Sequence, residues 1–321
     1  MSDGWQVEHG IGEERAILYR GNRAIAARIR WPGALEAGEI AEGTLIAKPK
    51  GAQRGRARFA SGEEALVDKL PRDASEGADL RFLVTRSRIG EANRVKLAHV
   101  RPTDEPLRPA PSLADSLESA RPMRAFPAGD WEAIYSVAAE GVLRFSGGSL
   151  HFAPTPAMTV VDVDGHLPAR DLAFAAIAPL AEGIALFDLG GVIGVDFPTL
   201  EAKADRKAVD AAIEDALADF DHERTAMNGF GFVQIVSRFA RPSLLHLLRH
   251  DPAGAAARLL LRRAERLEGP GSVELAAHPS VLARLSEEWL AELKRRTGKE
   301  LSIRPDPALA IAAPHAQLIA A

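Results

Sequence analysis

VVDVDGHL, residues 160–167, is the stretch on which the reading of this 321-residue chain turns. A β-branched run carries Asp162 and Asp164 at i and i+2 and closes on Gly165. Side chains alternate along a strand, so the two carboxylates share one face, about 7 Å apart along the chain. Taken alone, the stretch fits a phosphatase nucleophile loop, half of a metal site, or a strand entering an Asp-Gly turn. A second strand-like run, GGVIGVDF, places Asp196 thirty-four residues after Asp162. Between them lies ARDLAFAAIAPLAEGIALF, of helical length, in which Pro179 is expected to bend the helix. A strand–helix–strand unit makes the two strands parallel and sets both aspartates at carboxyl ends, where open α/β sheets bind ligands. Neighbouring strands lie roughly 4.8 Å apart, so two carboxylates there can share one hard cation. Magnesium suits such oxygen ligands, with manganese as the alternative ion. The plainer reading keeps Asp164-Gly165 as a turn and Asp196 as a helix cap.

The chain divides into four stretches. Residues 1–102 hold short apolar runs broken by glycines, the pattern of a small antiparallel barrel or sandwich. Residues 103–128 carry prolines at 106, 109, 111, 122 and 127, which reads as a linker with at most one short helix. From 129 to 268 apolar strands alternate with helices, among them the amphipathic TLEAKADRKAVDAAIEDALADF and the helical SLLHLLRHDPAGAAARLLLRRAERL. That order predicts a mostly parallel sheet covered by helices. Residues 269–321 form a small C-terminal α/β portion. The fold class expected is multi-domain α/β with an N-terminal barrel.

Composition narrows the chemistry. The chain has no cysteine, which excludes disulfides, thiolate metal sites and cysteine nucleophiles, and fits a reducing cytoplasm. No basic start followed by an apolar run marks a secretory signal, and no apolar stretch approaches the ~20 residues of a membrane span, so a cytoplasmic location is expected. Net charge is −4, yet Thr44–Arg101 holds thirteen Lys/Arg against seven Asp/Glu. Within it, Lys48, Lys50, Arg54, Arg56 and Arg58 flank Phe59. Phosphate contact combined with aromatic stacking is what sequence-tolerant single-strand binding requires. The alternative is a solvated charged loop. Lys96, with Arg86, Arg88 and Arg94, carries a weaker version of the same expectation. His166, Arg206 and Lys207 are minor candidates for contacting phosphate. His246, His250 and His278 show no ligand spacing, and Arg258, Arg262, Arg263 and Arg266 read as the solvated face of a helix.

GGSLHFAPTPAMTVVDVDG, DLGGVIGVDF and NGFGFVQIVSR, in that order and spacing, together resemble the ribonuclease E/G family of bacterial endoribonucleases. GTLIAKPKGAQRGRARFASGEEALVDKLP is similar to that family's S1-type barrel, an oligonucleotide-binding fold. The segment from VELAAHPSV to SIRPDP is similar to its small C-terminal domain. The resemblance implies that Asp162 and Asp196 hold the catalytic magnesium, with Asp164 standing where the family usually has asparagine. It implies that Phe59 contacts RNA, while Leu66 occupies the second aromatic position. It further implies hydrolysis of single-stranded RNA, leaving 5′-phosphate and 3′-hydroxyl ends. The family's 5′-monophosphate pocket and its Cys-x-x-Cys zinc link have no counterpart, so neither a 5′ sensor nor a zinc-linked tetramer is expected. Two other readings stand beside this one. An RNA-binding protein with little nuclease turnover is the first. The second follows from the likeness of VDVDGHL to the first motif of haloacid-dehalogenase phosphatases, with His166 in place of threonine and Asp162 as nucleophile. That motif lacks its lysine partner here.

Overall fold

A computed structural model describes residues 3–91 and 94–320. Strands Gly4–Gly10, Glu13–Arg20 and Arg23–Arg30 form an antiparallel meander, and Arg121–Met123 adds in parallel beside the first. Inward-facing Ile17, Tyr19, Ala27 and Ile29 join the core of the central domain. The proline-rich stretch therefore contributes a strand as well as a short helix, Leu113–Ser116, whose N-terminus Ser112 and Asp115 cap reciprocally.

Five strands close a barrel in the order Ala98–Pro102, Glu64–Asp68, Arg54–Phe59, Ile40–Ala47 and Asp79–Arg86. Closure comes from Ala98–Pro102, which pairs with both Glu64–Asp68 and Asp79–Arg86. Leu45, Ala57, Phe59, Val67, Phe82 and Val100 fill it as a core of its own.

The central six-stranded sheet runs in the order Val142–Phe145, Gly148–Pro154, Thr159–Gly165, Gly191–Asp196, Phe232–Ser237 and His222–Arg224. Thr159–Gly165 and Gly191–Asp196 are parallel, and the other four pairs are antiparallel. The expected mostly parallel sheet is thus corrected to a mixed one. The cause is a hairpin. After helix Lys203–Ala216 the chain enters the edge strand His222–Arg224, turns through Asn228-Gly229 and returns as Phe232–Ser237 between that edge and the Asp196 strand.

Helices cover one face of this sheet. Leu172, Ala176, Leu180, Val209 and Ile213 of helices Ala169–Leu186 and Lys203–Ala216 share a core with Leu150, Phe152, Val161, Val163, Ile193, Val195, Val233 and Ile235. Helix Ala169–Leu186 runs on through Pro179. The helical stretch near 244–268 is divided, because Asp251 caps Gly254 N at 3.0 Å and Pro252 opens the second helix. A three-stranded sheet, Leu301–Pro305, Ser272–Ala277 and His315–Ile319, packs on helix Pro252–Glu265 around a further core.

The expected solvated arginine face of that helix is also corrected. Arg262 is 1% exposed and bonds Glu8 at 3.0 Å and also Glu132. Arg258 lies between the rings of Trp31 and Trp289, 4.1 and 4.7 Å away. Arg262 through Glu8 and Arg258 through Trp31 tie the helix to the N-terminal meander, and Glu8 with Glu132 makes the burial of Arg262 tolerable.

Candidate active site

Period-two alternation builds the site. Val161 and Val195 are register partners and both are fully buried, so the next pair along, Asp162 and Asp196, emerges on the opposite, helix-free face. Register partners on parallel strands point the same way, and both aspartates are exposed. The row continues across the sheet as His151, Asp162, Asp196 and Phe232. Asp164, exposed and opposite Ser149, begins the next row. None of the three aspartates is ion-paired or hydrogen-bonded through its side chain among the described residues.

The Asp164-Gly165 step belongs to the strand rather than to a turn, since Gly165 still pairs with Gly148. Glycine is required there by close approach: a Cβ would sit 2.4 Å from the Gly147 carbonyl and 2.7 Å from Leu172 Cδ1. His166 follows on the surface, its amide donating to the Gly147 carbonyl at 3.2 Å. Asp196 leads into a loop and does not cap the following helix, whose N-cap is Ala202.

Whether these residues suit a metal is a matter of donor chemistry. Among the described residues no three His, Cys, Asp or Glu side chains converge into a group that could hold an ion, so the three aspartates do not close such a cage. What remains is a facing pair of unpaired carboxylates open to water. Magnesium accepts that set, because it usually takes one or two carboxylates and keeps several waters.

The barrel residues fall into distinct roles. Arg54, Arg56 and Arg58 point outward from one strand, Arg54 paired with Asp68 at 3.1 Å and the other two sharing Glu64 at 3.3 and 2.8 Å. One carboxylate between two guanidinium groups leaves a positive excess, and those groups hold Glu64 below the usual carboxylate range. Lys50 is exposed. Lys48 is engaged internally, its ammonium donating to the carbonyls of Pro71, Arg72 and Ala74. Phe59 requires a correction: at 5% exposure it packs edge-on against Phe82, 5.8 Å between centroids, and offers no free ring face to a base. Leu66 on the neighbouring strand is the exposed apolar residue instead.

Lys96 and Arg94 pair with Glu91 and donate to the Pro156 carbonyl, both at 3.0 Å, in the loop that leads into the Asp162 strand. Arg206 bonds the carbonyls of Leu200 and Glu201, securing the loop after Asp196, while Lys207 stays exposed.

Two residues beside the aspartates were not picked out from the sequence. His151 faces Asp162 in register, with Nε2 2.9 Å from Ser149 Oγ; alternation along LHFAP carries that signal. Phe230 is 79% exposed, the most exposed large apolar side chain among the described residues. Its loop is held firmly. Asn228 Oδ1 accepts the amides of Phe230 and Phe232 at 2.9 and 3.1 Å, and the Phe197 amide donates to Gly231 O at 3.2 Å. A phenyl ring is thus presented to solvent next to the residue that follows Asp196.

Residues 131–238, which contain this site, match the model of the ribonuclease E/G family. The chain is 34% identical over 118 residues to ribonuclease G of Escherichia coli strain K12, covering 33% of this chain and 24% of that protein. It is 33% identical over 118 residues to ribonuclease G of Salmonella typhimurium strain SL1344, with the same coverage. Against ribonuclease G of Haemophilus influenzae it is 33% identical over 115 residues, covering 32% of this chain and 23% of the relative. The chain spans about a quarter of the length of these curated relatives. The likeness to the ribonuclease E/G family thus falls on residues 131–238, the segment in which the two aspartates meet in register.

Proposed function

We propose that this protein is a magnesium-dependent endoribonuclease that hydrolyses single-stranded RNA. The observation that carries this reading is the register pairing of Asp162 with Asp196 on the exposed, helix-free face of the sheet. Two bare carboxylates on adjacent strands repel each other and gain from a cation between them. Asp162 and Asp196 would hold the ion. Magnesium, when bound, supplies activation of water and stabilisation of charge on a phosphoryl group under attack.

The other groups act around that pair. Asp164, two residues along the same face, accepts a hydrogen from water and keeps it oriented toward the phosphodiester. Phe230 offers a ring face on which one base stacks, and such stacking is indifferent to base identity. On the barrel, the positive excess of Arg54, Arg56 and Arg58, with Lys50, attracts the phosphate backbone. Water would attack phosphorus and the P–O3′ bond would break, the 3′ oxygen leaving with a proton, so that the products carry 5′-phosphate and 3′-hydroxyl ends. The barrel (residues 40–102) and the domain carrying the aspartates (129–268) are the two working units, and the cytoplasm is where RNA and magnesium meet. No helix among the described residues is long and apolar enough to cross a membrane.

The test is cleavage of a fluorescent single-stranded RNA in magnesium by the wild-type chain and by Asp196→Asn. Cleavage by the wild type alone, abolished by chelator, is expected. Equal cleavage by both proteins overturns the assignment. RNA binding that persists in chelator with no cleavage at any magnesium concentration would make the protein an RNA binder. A phosphorylated Asp162 trapped with a small phosphomonoester would make it a phosphatase.

A further inference from the structure

A cleft of about 490 Å³ opens where the loop around Trp31–Ala37, the segment Ser87–Gly90 that follows barrel strand Asp79–Arg86, helix Leu244–His250 and Arg258 meet. Small-molecule sites occupy roughly 300–1,000 Å³ and combine apolar walls with a few converging polar groups. Trp31, Leu35, Val95 and Leu247 give the walls. None of the aspartates at 162, 164 and 196 lines it.

Its charges are unevenly satisfied. Arg30 pairs with Glu36 and Arg284 with Asp251, while Arg241 shares Asp188 with Arg28. Arg88 is exposed and has no ion-pair partner among the described residues. Arg258 also makes no ion pair; it donates to the carbonyls of Gly12 and Gly254 at 2.9 and 3.0 Å and is sandwiched by tryptophans. Two guanidinium groups therefore border the cleft without a direct ion pair among the described residues, although Glu13 and Asp251 attract Arg258.

His246 supplies a directed donor. It is 6% exposed, and burial pushes its pKa down to about 4, so the ring is neutral at pH 7. Ser243 Oγ accepts the His246 amide at 3.3 Å and lies 2.7 Å from His246 Nδ1. In the tautomer whose Nδ1 accepts the hydroxyl hydrogen, the ring proton resides on Nε2. That N–H has no partner among the described residues, although the side chain lines the cleft.

We propose that this cleft binds a small phosphate monoester carrying a flat apolar body. Such a group bears about −1.5 to −2 charge at pH 7 and has acceptor oxygens, which match two guanidinium groups free of direct ion pairs and the imidazole N–H. A phosphodiester of an RNA backbone, with a single charge, leaves one guanidinium unmatched. A ligand seated here touches both the barrel and the helix Leu244–His250, and so fixes the barrel against the central domain.

Phenyl phosphate is the probe, titrated calorimetrically into the full chain at pH 7.5, with phenol and inorganic phosphate as separate titrants. Saturable one-to-one binding of phenyl phosphate is expected, at least tenfold tighter than either fragment. Arg88→Ala, which removes no side-chain hydrogen bond or ion pair among the described residues, should weaken it about tenfold, and Asp196→Asn should leave it unchanged. Of the nine histidine rings, those of His246 and His250 should shift on binding in a heteronuclear NMR spectrum. Absence of saturation, affinity unaltered by Arg88→Ala, phenol binding as tightly as its phosphate, or loss of binding in Asp196→Asn each overturns the proposal.

Discussion

Replacing Glu8 by glutamine tests the seam between the N-terminal meander and the helix Pro252–Glu265. Glu8 is 4% exposed and receives Arg15, Arg262 at 3.0 Å, Arg266 at 3.0 Å and the Phe126 amide at 2.9 Å. Arg15 and Arg262 are themselves buried. Glutamine keeps the shape, removes the charge, and turns an NH₂ group toward guanidinium donors. Breaking a buried ion pair from one side costs about 3–5 kcal/mol. Arg15 retains Glu13 at 2.7 Å and Arg262 retains Glu132, which places the expected loss near the lower bound, about 3 kcal/mol. In a chain of this length that is a fall in Tm of roughly 4–5 °C.

The pH dependence has a definite sign. Desolvation raises the Glu8 pKa, but Arg15, Arg262 and the Phe126 amide outweigh it, and the net shift is downward from 4.5. A carboxylate whose folded pKa is depressed contributes stability above its ordinary value and loses it as pH falls through the folded value. The gap between wild type and Glu8→Gln should therefore be full at pH 7 and shrink below about pH 4.5. Thermal and urea unfolding at pH 7 and pH 4 read it. A loss under 1 kcal/mol at pH 7, or a gap that widens in acid, refutes the reasoning.

Gly165→Ala should destabilise the protein by about 2 kcal/mol, because its Cβ meets backbone at the Gly147 carbonyl, which cannot swing aside; an unchanged urea midpoint contradicts this. Phe230→Ser should leave Tm unchanged, since the ring is 79% exposed. It should weaken single-stranded RNA binding about tenfold in fluorescence anisotropy, the value of one stacked base, whereas Phe230→Trp should restore affinity and show quenching; equal affinity of Phe230→Ser and wild type removes the stacking role.

Much of the site could be read from local pattern. Alternation of Val161 and Val163 with Asp162 and Asp164 dictates one buried and one open face, and a single crossover helix sets Asp196 beside Asp162. Sheet direction was obscured because Asn228-Gly229 makes a hairpin out of an apparent helix-to-strand connection. The place of Phe59 is legible in the same way: Arg54, Arg56 and Arg58 mark the outer face, which sends Ala57 and Phe59 inward, against what the family resemblance implies for Phe59. Arg262 was not legible at all, since helix periodicity cannot reveal that Glu8, 254 residues earlier, supplies a buried counter-charge. The cleft at Arg88 and His246 likewise depends on segments remote in sequence.

The central claim is that two aspartates from adjacent parallel strands share one divalent ion. Manganese binding followed by electron paramagnetic resonance measures this without reference to catalysis. One tight manganese per wild-type chain is expected, displaced by magnesium and weakened at least tenfold in Asp162→Asn and in Asp196→Asn alike. Binding that survives either substitution intact would show that the two carboxylates do not form one site.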